Sequence, residues 1–122
     1  KQHKEVKISG KKVKSVLMIS ESLDAATPFS GSLEVRKRFP KARLIEGVGG
    51  TTHAGSLSGV ACVDDRIADY LATGDLPKRK SGRRADVKCD PVPAPDATPS
   101  ARSSKKAASK DLVELRKLVA QR

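Results

Sequence analysis

Two residues of this 122-residue chain have the type and setting for proton-transfer chemistry: a carboxylate at Asp24 and an imidazole at His53. Asp24 lies in the polar stretch Ser20-Glu21-Ser22-Leu23-Asp24, directly after the consecutive apolar run Val16-Leu17-Met18-Ile19. His53 lies in Gly47-Val48-Gly49-Gly50-Thr51-Thr52-His53-Ala54-Gly55-Ser56, with three glycines ahead of it and one behind. Such a loop permits unusual backbone angles and close approach, beyond what a plain connection needs. A carboxylate that accepts from one ring nitrogen leaves the other to serve as a general base. Taken singly, a loop Asp usually caps or turns the chain and a loop His usually sits on the surface. Their succession at the ends of two strands is what points to chemistry.

The elements that must position them follow from the same segments. Four apolar residues in a row at 16–19 suit a strand covered on both faces of a parallel sheet, and Ala42-Arg43-Leu44-Ile45-Glu46 suits a second, shorter strand. Between them, Pro28 fits a first helical turn and Pro40 closes the segment. Phe29, Leu33 and Arg36 share one face, and Arg36, Lys37 and Arg38 are expected to lie largely in water. Strand, helix and strand make a right-handed parallel crossover the default. In open parallel sheets, ligands and reacting groups collect at the carboxyl ends of strands, where Asp24 and His53 both fall. Cys62 to Gly74 is the clearest helix: Val63, Ile67, Tyr70 and Leu71 make its apolar face, Asp64 and Asp65 suit its first turn, and Gly74 ends it.

The net charge of +11 suggests nucleic acid until it is divided along the chain. Residues 1–15 carry +5 and residues 78–88 another +5, whereas 16–77 carry −2 and 89–122 carry +3. Basicity belongs to the flanks, and no standard duplex-reading motif is present, which argues against nucleic acid as the partner. No apolar run approaches 18 residues, so no membrane span is expected, and no His and Cys cluster has zinc-ligand spacing. No cofactor is implied. The two cysteines, Cys62 and Cys89, fit either one disulfide in an oxidising compartment or two inert thiols in a reducing one. The expected organisation is a basic approach segment at 1–15, a folded body at 16–89, a Pro, Ala and Ser-rich linker at 90–108 and a short amphipathic helix at 109–122.

The stretches LMISESLDAATP, RLIEGVGGTTHAGS and ACVDDRIADYLATGDLP resemble the C-terminal portion of the secreted tripeptidyl aminopeptidases of the α/β-hydrolase superfamily, over about Lys7 to Pro95. The resemblance implies an α/β fold that is a C-terminal fragment of a hydrolase, two parallel strands with helices, carrying basic flanks and the Pro, Ala and Ser-rich tail. It implies that Asp24 orients His53, and that Cys62 is bridged to Cys89. The order of acid before His agrees with the Ser, Asp, His order of that fold. The nucleophile is none of these residues: Gly55-Ser56-Leu57-Ser58-Gly59 has Leu at its centre and is not a G-x-S-x-G elbow. The expectation is a secreted serine exopeptidase segment, inactive alone, that meets its peptide substrate only with the missing N-terminal portion of the hydrolase. Two alternatives stand beside it: a fragment of another α/β-hydrolase, such as a proline-specific aminopeptidase or esterase, and a non-enzymatic basic module that binds polyanions.

Overall fold

The computed structural model describes residues 6–95. Its elements run β1 (Val16–Glu21), α1 (Phe29–Arg38), β2 (Ala42–Gly47), α2 (Ala61–Thr73) and β3 (Val87–Cys89). The three strands form one parallel sheet in the order β1-β2-β3. Val16 to Glu21 lie opposite Ala42 to Gly47, so the first two strands end level with each other. The loops that leave them therefore start side by side.

The central strand holds the core. Leu44 and Ile45 are adjacent in sequence, point to opposite faces and are both fully buried, so β2 is the strand covered on both sides. Ile45 packs with Val63 of α2 and Cys89 of β3, and Leu17, Ile19, Ile67 and Val87 close around them. Met18, one residue out of phase with Leu17 and Ile19, lies on the other face and shares a groove with Ser32 and Val35 of α1. The expectation that Val16–Ile19 is covered on both faces is not met among the described residues, where β1 is an edge strand and these four residues are half-buried. Its apolar run is longer than the cover that the described residues provide.

Helix ends follow local chemistry. Pro28 is the residue that precedes α1, with φ −54° and ψ 134°; its fixed φ suits entry to the helix, but it lies just outside rather than within the first turn. Arg36, Lys37 and Arg38 occupy the last turn, where cations oppose the helix dipole. The Gly10 N–H donates to the Arg38 carbonyl at 3.0 Å, and a Cβ on Gly10 would fall on the Phe39 ring, so the described part of the basic approach segment, residues 6–15, docks there as a turn and forms no strand. At α2, Gly74 takes φ 81° and donates to the Tyr70 carbonyl at 2.9 Å, a left-handed C-terminal cap. Of the apolar face expected there, Val63 is buried and Ile67 packs on the core. Tyr70 hydrogen-bonds the Ser15 hydroxyl at 3.1 Å, and Leu71 points into solvent, 76% exposed.

Two expectations need correction. The sheet has three strands rather than two, and Arg36, expected to lie largely in water, is 4% exposed. Its guanidinium reaches Asp86 through Nε at 2.9 Å and Nη2 at 2.5 Å, and donates to the carbonyls of Lys80 and Gly82. Asp86 also accepts the N–H groups of Leu44 at 2.8 Å and Lys80 at 2.7 Å. Burial pushes the Asp86 carboxyl up; the Arg36 guanidinium and the two backbone donors override it and hold the group below the usual carboxylate range. A strand of three residues, flanked by cations and prolines, carries too short a pattern to be read from sequence.

The Cys62–Cys89 disulfide is present, with Cα atoms 5.7 Å apart, and joins the start of α2 to the end of β3. Residues 96–122 lie outside the described residues, and with them most of the expected linker and the whole of the 109–122 helix.

Asp86→Ala leaves the Arg36 charge buried and unpaired, so unfolding in urea is expected to show a loss of about 3–5 kcal/mol. Reduction of the disulfide, whose cysteines are 27 positions apart in sequence, is expected to lower stability by about 3–4 kcal/mol, read from denaturation midpoints before and after reduction and alkylation.

Candidate active site

The first of the two loops is turned by its own carboxylate. The chain leaves β1 at Glu21, and Asp24 is buried with both oxygens engaged. Oδ1 accepts the N–H groups of Ala26 at 2.8 Å and Thr27 at 3.1 Å, an Asx-type turn that carries the chain to Pro28 and α1. Oδ2 accepts the Thr27 hydroxyl at 2.6 Å and faces His53 Nδ1 at 2.9 Å. The turn role and the chemical role thus fall on the same side chain. The Thr27 hydroxyl, followed by His53 and then the backbone donors, holds the Asp24 carboxyl well below the usual carboxylate range, with burial opposing them.

The second loop leaves β2 at Gly47 and is stitched to the first. Ser22 N–H donates to the Gly47 carbonyl at 3.0 Å, Leu23 N–H to the Gly50 carbonyl at 2.9 Å, and Gly49 N–H to the Ser22 hydroxyl at 2.7 Å. Gly49 needs its φ of 77°, which only glycine adopts without cost. Ala54 and Leu57, at φ 59° and 58°, take the left-handed conformation without that freedom, immediately after the imidazole and again three residues on. Non-glycine residues held in this region gather at functional loops.

The geometry assigns the imidazole tautomer. Asp24 Oδ2 is acceptor-only, and the single Thr27 hydroxyl proton is committed to that carboxylate, so the Thr27 oxygen, 3.5 Å from Nδ1, can only accept as well. Nδ1 therefore carries a proton, and in the neutral ring Nε2 carries the lone pair. Among the described residues Nε2 has no hydrogen-bond partner, and the His53 side chain is 59% exposed. A buried, fully engaged carboxylate behind an outward-facing imidazole is the arrangement that holds one tautomer and stabilises the imidazolium when it forms.

The structure thus brings together the two residues the sequence singled out, Asp24 and His53, and bridges Cys62 to Cys89 behind their loops. No serine is placed as a nucleophile: no hydroxyl of the described residues hydrogen-bonds Nε2. Sequence reasoning passed over Thr27, whose hydroxyl completes the Asp24 environment; its place three residues after the Asp was the available signal. No group of three or more His, Cys, Asp or Glu among the described residues is arranged to hold a metal ion. No helix among them is long and apolar enough to cross a membrane.

Parallel strands whose carboxyl ends deliver an acid and then a histidine define the closing part of an α/β-hydrolase. The chain belongs to that superfamily and, within it, to the TAP-like protein family, which matches residues 1–89. It is 36% identical over 91 residues to a tripeptidyl aminopeptidase of Streptomyces coelicolor and, to the same extent, to one of Streptomyces lividans. The match covers 75% of this chain and 15% of either relative, so the chain corresponds to a small part of their length. No solved structure gives a significant match.

Thr27→Val keeps the side-chain shape and removes the hydroxyl donor, so the Asp24 carboxyl is expected to titrate higher, closer to an ordinary aspartate. Its side-chain carbon resonance, followed by NMR through the acid range, measures the shift. The sign also fixes the pH window. A carboxyl depressed in the folded state contributes stability that is complete at neutral pH and is lost as pH falls through its folded value. In Thr27→Val the contribution is smaller, and its loss, which starts at the same unfolded-state value, is complete at a higher pH.

Proposed function

We propose that this chain is the C-terminal segment of a secreted serine exopeptidase that releases tripeptides from free N-termini, supplying the acid and the base of its triad. The observation that carries the reading is the 2.9 Å contact from His53 Nδ1 to Asp24 Oδ2, made by loops from the carboxyl ends of two adjacent parallel strands. The activity itself is proposed from the relatives, which are tripeptidyl aminopeptidases. The disulfide fits an oxidising, extracellular setting.

In the mechanism, Nε2 takes the proton of a serine hydroxyl as that oxygen attacks the scissile carbonyl, and Asp24 holds the resulting imidazolium in place. The imidazolium then gives the proton to the leaving amine. In the second half Nε2 takes a proton from water, which hydrolyses the acyl-enzyme, and returns it to the serine. The serine and the oxyanion donors belong to the part of the hydrolase outside this chain. The half-exposed apolar run of β1, whose outer edge pairs with no strand among the described residues, supports this reading as the place where that part packs. So does the neighbouring groove of about 370 Å³, lined by Met18, Thr27, Pro28 and Val35.

The 122-residue chain alone is expected to release no tripeptide from an unblocked peptide. In a polypeptide that joins it to a serine-bearing hydrolase portion, His53→Ala should lower turnover by about three decades or more, and Asp24→Asn by a similar or smaller factor. Near-normal turnover of the His53→Ala enzyme in a chromogenic tripeptide assay would sink the assignment.

A further inference from the structure

Glu21, the last residue of β1, is 4% exposed. Among the described residues its carboxylate is paired with no Lys, Arg or His. Its oxygens instead accept two backbone N–H groups: Oε2 that of Thr52 at 2.5 Å, and Oε1 that of Val92 at 2.9 Å. Thr52 immediately precedes His53, and Val92 lies three residues past the disulfide-bonded Cys89. A buried anion without a cation is costly, and an apolar side chain would fill the space at no such cost. What the carboxylate supplies is two acceptor-only oxygens facing two backbone donors that converge from separate segments.

The glycines of the loop are shaped to this group. A Cβ on Gly50 would overlap the Glu21 carboxylate outright. One on Gly47 would lie 3.0 Å from Glu21 Cγ, and one on Gly55 would lie 3.4 Å from Oε1 and 3.2 Å from a Val92 methyl. None of the three has a positive φ; Gly49 alone in this run does. Gly47 and Gly50 therefore make room for the Glu21 side chain rather than for a backbone angle, and Gly55 packs tightest against Val92. The loop from Gly47 to Gly55 is wrapped around the Glu21 carboxylate, and the imidazole rides on that loop.

We propose that Glu21 is a positioning residue for the Asp24–His53 pair, an internal anchor that sets where the His53 ring stands by holding the Thr52 N–H. The role rests on the reading of that pair given above, since the ring is the object positioned. It reaches the ring through the backbone and touches no reacting atom. It also makes the segment after β3 part of the same assembly, because Val92 is held by the other oxygen.

The test reads the hydrogen-bonded proton on His53 Nδ1 by NMR in the oxidised 122-residue chain, as its rate of exchange with water. Amide protection of Leu44 and Ile45 reports the core alongside. Glu21→Asp keeps the charge and shortens the reach. Gly50→Ala keeps Glu21 and displaces its carboxylate. Both are expected to speed exchange of the Nδ1 proton about tenfold, the scale of losing one or two ordinary hydrogen bonds, with Leu44 and Ile45 unchanged. Asp24→Asn is the reference, since it removes the carboxylate partner of the ring. If Asp24→Asn speeds the exchange and both other variants leave it as in the parent chain, the positioning role is overturned and the pair stands. If Asp24→Asn itself changes nothing, the pair and the role fall together. Should Glu21→Asp lose protection at Leu44 and Ile45, Gly50→Ala decides alone, and a parent-like rate in it overturns the proposal.

Discussion

One carboxylate, that of Asp86, ties the body of this chain together. It accepts two donors from Arg36 on α1, one from the backbone of β2 at Leu44 and one from Lys80. Taking both charges of such a pair out of water costs several kcal/mol per ion, and the pair persists only where every remaining donor and acceptor is met. Here each nitrogen and oxygen of the pair has a partner: Nη1 and Nη2 of Arg36 also donate to the carbonyls of Gly82 and Lys80. A stretch that would otherwise repel itself, Lys78 to Arg84, is thereby fastened across α1 and β2, with Arg79 donating to the carbonyls of Ala42 and Arg36. Asp86 immediately precedes β3, so anchoring it sets the register of that strand on β2.

From β3 the constraint passes on to the site. The Cys89 carbonyl accepts the Val48 N–H at 3.0 Å at the base of the histidine loop, the disulfide holds the start of α2 just beyond that loop, and Val92 reaches Glu21. The loop is thus held at its root, at its exit and beneath Thr52, while the ring it carries is exposed. A rigid cradle with an open imidazole suits a base that must keep one geometry with respect to Asp24 and still meet a group from elsewhere. The half-buried β1 belongs to the same picture, because among the described residues that strand is paired along its β2 side alone.

The two strands, both helices and the pair Asp24 and His53 were legible because each has a local signature: consecutive apolar residues at 16–19, a 3.6-residue period ending in Gly74, and loop residues of the right chemical type directly after strands. What was not legible has no such signature. Arg36 sits in an Arg-Lys-Arg run that reads as a solvated helix face, and only the arrival of Asp86 from 50 residues away makes burial tolerable. Leu71 continues an apolar period, yet α2 turns that position past the edge of what it covers. The glycines of the histidine loop read as backbone freedom, whereas Gly47 and Gly50 clear space for a side chain from another strand.

The sequence by itself therefore determined the parallel α/β class and the two residue types that could carry the chemistry, because strand, helix and turn preferences act over a few residues. Through its resemblance it also indicated which cysteines pair and that Asp24 orients His53. Only the tertiary structure decided through which contacts Asp24 and His53 meet, that β3 exists and that Arg36 and Glu21 are buried. Each of these depends on donors and acceptors brought together across roughly 30 to 70 residues of chain, and whether a polar group can leave water is set by partners of that kind rather than by its neighbours in sequence.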